Sequence, residues 1–340
     1  MAAPTMDRAA STAPAAVQTT TIAKALNNGL RASMEANPKV IVMGEDVGKL
    51  GGVFRITDGL QKDFGEQRVL DTPLAESGII GTAVGLAIRG YRPVCEIQFD
   101  GFIFPGFDQI VSQVAKLHYR TQGRIKLPIV IRVPFGGGIG AVEHHSESPE
   151  SYFAHTAGLK VVSCSNPADA YWMIQQAIDC DDPVLFFEPK RRYYEKGEVD
   201  TTAAPGPLFR SRTLRTGTDA TLVTYGPMTR TSLDAAAAAE EEGKSLEVID
   251  LRTLSPLDLA PVYESVRRTG RLVVVTEAPS ESSISSEIAA KVQQECFYSL
   301  QAPVLRVTGF DTPYPPSKLE EEFLPDLDRV LHAVDRSLAW

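Results

Sequence analysis

What most constrains the fold of this chain is an alternation of short apolar runs with helical stretches, and the alternation occurs twice. The first series begins with a helix over 22–36 and the strand "VIVMG" over 40–44. It continues through helix "GIIGTAVGLAIRG", strand "RPVCEIQF", helix "PGFDQIVSQVAKLHYR", strands "LPIVIRVP" and "LKVVS", helix "PADAYWMIQQAID" and strand "PVLFFEP". Short runs that are apolar at nearly every position predict strands buried on both faces, and helices between them predict a parallel sheet covered on both sides. A second series runs "ATLVTYG", helix "RTSLDAAAAAEEEG", strand "LEVIDLRTLSP", helix "APVYESVRRTG", strand "RLVVVTEAP", helix "SSEIAAKVQQECF", strand "APVLRVTGFD" and a closing helix near "LPDLDRVLHAV". Residues 191–217 lack sustained periodicity and carry "TTAAPGP", which reads as a connection between domains. The expected architecture is α/β with two doubly wound domains, 19–200 and 219–340, joined by 201–218. A length of 340 residues suits two cores better than one.

Composition excludes several classes of function. A net charge of -9 argues against a nucleic-acid partner, because binding phosphate needs a concentrated positive surface. The one basic cluster, Lys190, Arg191 and Arg192, reads as a solvated face. No apolar run reaches the ~18 residues of a membrane span. The four cysteines are far apart with no CxxC spacing, which argues against a zinc site or a disulfide scaffold and fits a reducing cytoplasm. Residues 1–18, rich in Ala, Pro, Ser and Thr without a hydrophobic signal core, read as a disordered tail.

Three features are candidates for chemistry. Strand 40–44 ends in the acidic pair Glu45 and Asp46, and functional groups often lie just past such strand ends. In "DTPLAESGIIGTAVGLAIRG" a single carboxylate, Glu76, precedes Gly78, Gly81 and Gly85, which share one helical face. Each interior glycine costs a helix about 1 kcal/mol relative to alanine, so the spacing predicts close packing against something. The plain reading of Glu76 is a residue stabilised by the positive end of its own helix. The loop "PFGGGIGAVEHHSESPE" matches no nucleotide-binding pattern, but it delivers His144 and His145 among small residues. In an extended loop the two would point to opposite sides, so at most one serves a given site. A surface loop is the competing reading, and the spacing supports no metal.

The blocks "MGEDVGKLGGVFRIT", "DTPLAESGIIGTAVGLAIRGYRPVCEIQF", "FIFPGFDQIVSQVAKLHYR", "HHSESPESYFAHTAGLKVV", "PVLFFEPK", "EVIDLRTLSPLD" and "TGFDTPYP" together resemble the beta chain of the thiamin-dependent decarboxylase component of 2-oxo acid dehydrogenase complexes. The resemblance runs in register from about residue 19 to the C-terminus. It implies a transketolase-like fold, with a thiamin pyrimidine-binding domain followed by a transketolase C-terminal-type domain. "EIQFDGFIFPGFDQIV", "HSESPESYFAH" and "ECFYSLQAPVLRVTGFDTPYP" look most like the branched-chain 2-oxo acid type, with pyruvate and acetoin dehydrogenase beta chains as the alternative.

The same resemblance implies roles. Glu76 would face the aminopyrimidine of thiamin diphosphate and share a proton with a ring nitrogen, a task suited to a carboxyl group in an apolar pocket. Phe102 would pack on the pyrimidine, with Leu74 and Gln98 lining that end of the cofactor. His145 would serve acyl transfer to the lipoyl group, while His144 matches a variable position. Glu45 would line a polar tunnel joining two cofactors. The chain has no GDG motif, which in thiamin enzymes binds the diphosphate through Mg2+. The implied explanation is a site shared with an alpha subunit in an α2β2 heterotetramer, with the glycine face against a neighbouring chain and a dihydrolipoyl acyltransferase as further partner. Some relatives bind potassium through carbonyls that match Ile129, Val130, Ala177, Cys180 and Asp182. A scaffold with all its chemistry elsewhere is the competing class, and the complete set of pyrimidine-side residues argues against it.

Overall fold

The computed structural model describes residues 17–340. Apart from Val17 and Gln18, the expected tail lies outside the described residues. The strands are β1 (Val17–Thr21), β2 (Val40–Gly44), β3 (Val69–Asp71), β4 (Arg92–Glu96), β5 (Val130–Phe135), β6 (Lys160–Ser163), β7 (Val184–Pro189), β8 (Lys196–Asp200), β9 (Arg212–Arg215), β10 (Ala220–Thr224), β11 (Leu246–Asp250), β12 (Thr253–Ser255), β13 (Leu272–Pro279) and β14 (Leu305–Gly309). They build a seven-stranded sheet in the order β12-β6-β7-β5-β4-β2-β3, a five-stranded sheet in the order β14-β13-β10-β11-β9, and a ribbon of β1 with β8.

In the larger sheet β2 to β7 run parallel, and β5 and β7 are buried at every position, as apolar runs without alternation require. Helices cover both faces. The helix Ile22–Ala36 starts on Thr21, whose hydroxyl accepts from Lys24 N, and Pro167–Asp179 starts on Asn166, which accepts from Asp169 N. These two helices cross closely at Gly29, where a Cβ would lie 2.5 Å from Ile174 Cγ2 and 2.7 Å from the Tyr171 carbonyl.

The structure departs from the sequence reading in three places. The run 246–256 is two strands, because Arg252 adopts a left-handed φ of 57° and turns the chain. After the turn, β12 adds antiparallel to β6, so the second half of the chain completes the first sheet. The connecting stretch is also structured: β9 lies within 201–218 and pairs antiparallel with β11. Lastly, the helix expected after "PGFD" is broken into a 3-10 turn containing Pro105 (Asp100–Gly106), a wider π segment (Gln109–Val114) and one turn at Leu117–Arg120. One apolar core joins the two halves, since Phe135 and Phe153 belong to the same cluster as Val223, Tyr225 and Ile249.

Candidate active site

The candidate residues converge at the C-terminal ends of the parallel strands, where an open α/β sheet places its ligands. Glu45 follows β2; Leu74 and Glu76 follow β3; Gln98 and Phe102 follow β4; His145 lies in the loop after β5. Sequence separation and chemical role are thus unrelated, as one sheet edge collects them all.

Glu76 is the first residue of the helix Glu76–Ile88 and is 7% exposed. Ala75 occupies the N-cap and this helix end carries no side-chain cap. Glu45 is similarly buried, and its Oε1 has no hydrogen-bond partner. Burial, then the Glu76 charge, then Asp46 raise the Glu45 pKa above the ordinary carboxylate value, so the two acids lie within electrostatic reach of one another. Gln98 Nε2 lies 3.4 Å from the Glu45 carbonyl and 3.3 Å from Asp46 Oδ2, holding the turn after β2. The pocket therefore presents a buried acceptor, Glu45 Oε1, that lacks a donor among the described residues, a demand that an amino group would meet. These residues fit an aminopyrimidine.

His144 and His145 lie in a 3-10 turn, Glu143–His145, and not in the extended loop the sequence suggested. They still diverge. His144 is exposed, with Nδ1 3.3 Å from Glu143 Oε1. His145 turns inward against Phe99 and Phe102, with ring centroids 4.3 Å and 5.2 Å away. Burial first, then the positive charges of Lys190 and His144, push its pKa down, and Glu143 opposes them. The imidazole is therefore neutral at pH 7, ready to accept a proton.

The glycine face of the Glu76–Ile88 helix is bare among the described residues: a Cβ at Gly81 or Gly85 would meet nothing within 4 Å. Leu74 beside it is 80% exposed and Ile88 is 49% exposed. The opposite face packs on the 3-10 turn, where a Gly106 Cβ would lie 3.4 Å from Ile80 Cγ1.

Three of the carbonyls matched to a potassium site, those of Ile129, Ala177 and Cys180, already accept a hydrogen bond within the chain, which leaves each a second lone pair. The Ile129 carbonyl accepts from Val184 N at 2.9 Å and that of Ala177 from Cys180 N at 3.3 Å. The Cys180 carbonyl accepts from the guanidinium of Arg92 at 3.1 Å, which also binds the Ile178 carbonyl at 2.8 Å and Asp181 Oδ1 at 2.9 Å. Val130 is a buried residue of β5, and the Asp182 carboxylate is engaged by His118 and Lys160. Among the described residues no group of three or more His, Cys, Asp or Glu could hold a metal.

The basic cluster is also corrected. Lys190 is 2% exposed and paired with Asp100, and Arg192 reaches Glu195 at 2.7 Å. Sequence reasoning missed Phe99, Asp100, Gly101 and Lys190. The available signal was position, since Lys190 directly follows the β7 strand end. It also missed Arg132, fully buried between Glu96 at 2.7 Å and Glu188 at 2.6 Å, which ties three strands beneath the site.

Comparison with known proteins agrees with this geometry. The family model "Transketolase, pyrimidine binding domain" matches residues 18–196, and "Transketolase, C-terminal domain" matches 210–330. The chain is 63% identical to a pyruvate dehydrogenase E1 component subunit beta of Leifsonia xyli subsp. xyli, over 95% of this chain and 96% of that one. The chain belongs to the beta subunits of the 2-oxo acid dehydrogenase E1 component. It is 54% identical to a 3-methyl-2-oxobutanoate dehydrogenase subunit beta of Mycobacterium tuberculosis, over 94% and 92% of the two chains. It is 44% identical to a 2-oxoisovalerate dehydrogenase subunit beta of Bacillus subtilis, over 93% and 97%. A solved chain titled as a split gene transketolase, inactive beta4 tetramer, superposes with a TM-score of 0.78 at 24% identity, covering 94% of this chain and 98% of that one, which shows the shared fold. The matched domain implies thiamin diphosphate as cofactor, and beta subunits of this family pair with alpha subunits.

Proposed function

We propose that this chain supplies the pyrimidine half of a thiamin diphosphate site. With an alpha subunit, in an α2β2 heterotetramer, it would decarboxylate a 2-oxo acid oxidatively and transfer the acyl group to a lipoyl-lysine of an acyltransferase partner. The observation that carries this reading is the two buried acids Glu45 and Glu76 at the sheet's C-terminal edge, with a Glu45 oxygen that has no partner among the described residues. Thiamin diphosphate, when bound, supplies the thiazolium carbon that attacks the 2-oxo group and accepts the electrons released with CO2. Glu76 holds a proton against the ring nitrogen. Glu45, whose pKa is raised by burial and by its acidic neighbours, lines the route leading away. Phe102 offers a flat apolar surface, Leu74 closes the exposed rim and Gln98 orients the turn. His145 exchanges a proton with the lipoyl sulfur. Diphosphate and Mg2+ fall to the alpha subunit on this reading, and a cytoplasmic location accords with the bacterial relatives.

For the substrate, 63% identity to a protein named for pyruvate favours pyruvate over the branched-chain acid expected from the sequence blocks. The second reading, a branched-chain acid, rests on relatives at 54% and 44% identity named for such substrates. The test is kcat/KM of the reconstituted tetramer for pyruvate, 3-methyl-2-oxobutanoate and 4-methyl-2-oxopentanoate. Each pocket methylene is worth about 10- to 200-fold, so the order is decisive. Glu76→Ala should abolish decarboxylation of whichever acid is used, and retained activity would remove the assignment of the pyrimidine side.

A further inference from the structure

Four consecutive residues after β4 form a seat for the histidine turn. The rings of Phe99 and Phe102 flank His145. At Gly101, between them, a Cβ would lie 2.6 Å from the His144 carbonyl oxygen and 2.9 Å from its Cα, so the turn rests directly on this backbone. Asp100 completes the seat. Its Oδ2 accepts from Glu147 N at 2.7 Å, two residues beyond His145. Its Oδ1 accepts from the ammonium of Lys190, and both side chains are 0% exposed. Lys190 Nζ also lies 6.0 Å from the centroid of the Phe99 ring that touches His145.

We propose that the Asp100–Lys190 ion pair is the positioning device of His145, tethering its turn to the 99–102 seat and setting the electric field in which the imidazole exchanges its proton. The proposal rests on His145 being the proton-exchanging residue of the proposed function. A buried ion pair is an expensive way to stabilise a fold, which points to a role in arranging chemistry. Lys190 is the largest charge influence on His145, acting with His144 and against Glu143 from the histidine's own turn. Glu147, on the same loop, has its pKa raised by burial and by Glu143. Asp100 is neutralised by its partner, and the two phenylalanines carry no charge. Burial pushes the Asp100 pKa up to about 6 and the Lys190 pKa down, while each partner's charge opposes the shift of the other. Both Lys190 and Asp100 act through His145 and neither is assigned contact with substrate.

The test uses the α2β2 holoenzyme with 13C-labelled histidine in this chain only. His145→Gln identifies the resonance among the five histidines. Lys190→Gln removes the cation. Asp100→Asn with Lys190→Gln keeps both hydrogen-bonding groups while removing both charges, so it tests the idea if the single variant does not assemble. In the double variant the His145 titration midpoint should rise, because the Lys190 charge that lowers it is gone. The acid limb of the pH profile for lipoyl acylation should move with it, while KM for the 2-oxo acid stays within about twofold. An unchanged midpoint and pH profile in an assembled double variant would overturn the proposal. If His145→Gln itself acylates lipoyl-lysine at the normal rate, the catalytic reading of the histidine fails, and the titration midpoint still decides the positioning claim.

Discussion

Gly101→Ala is the most economical perturbation of this site. Gly101 has no left-handed φ, so alanine is conformationally acceptable and the effect of the added methyl is steric alone. The new Cβ would sit 2.6 Å from the His144 oxygen, 2.9 Å from Cα and 3.0 Å from the carbonyl carbon. All three are backbone atoms, so no rotamer change relieves the overlap. Ordinary contact begins near 3.4 Å, which requires the histidine turn to retreat by about 0.8 Å. Misplacing a reacting group by roughly 1 Å costs about a hundredfold in rate. Overpacking of this kind also costs about 1 to 3 kcal/mol of stability. In the reconstituted tetramer, lipoyl acylation should therefore fall by about two orders of magnitude. Decarboxylation measured with an artificial electron acceptor should fall far less, because Glu45 and Glu76 lie on other strand ends. Normal acylation by an assembled variant would refute the seating of His145 on Gly101.

Other expectations follow from the same structure. Gly81→Ala and Gly85→Ala should each stabilise the isolated chain by up to about 1 kcal/mol, since nothing among the described residues opposes the methyl, and should weaken assembly with the alpha subunit. Sedimentation of the mixed chains checks this, and unimpaired assembly would exclude the glycine face from the interface. Arg92→Ala should lose about 1 to 3 kcal/mol through its unsatisfied carbonyls, read by urea unfolding, and an unchanged stability would contradict it. Glu150 is fully buried beneath the histidine loop, accepts from the Tyr225 hydroxyl, and has its pKa raised to about 7 by burial. The unfolded chain titrates near 4.3, so the folded state keeps a proton that the unfolded state releases. That contribution is complete below about pH 4.3 and lost as pH rises through 7. Glu150→Gln should therefore gain stability relative to the unmodified chain between pH 5 and pH 8, by at most about 3 kcal/mol. Parallel denaturant curves at the two pH values would contradict it.

What the sequence made legible was local. The helices 22–36 and 167–179 end where their caps and prolines say they should, and the fully apolar β5 and β7 could only be strands buried on both faces. Strand-end logic alone points to Glu45, and it points equally to Lys190, where charge patterning suggested a solvated face. The error is physical in origin: a run of three cations looks solvated unless the buried anion that matches one of them is known, and Asp100 lies 90 residues earlier. Arg92 was illegible for the same reason, because backbone carbonyls leave no mark in a sequence. Arg252 was missed because a non-glycine residue in the left-handed region carries no compositional signal, yet that one turn sends β12 into the other sheet. The unread features thus share a cause, since each is a long-range pairing whose partner is fixed only when the sheet closes. By the same logic the bare glycine face and the unpartnered Glu45 oxygen are pairings still open among the described residues. Their natural complements, a close-packed backbone and a hydrogen-bond donor, are what an alpha subunit and an aminopyrimidine would bring.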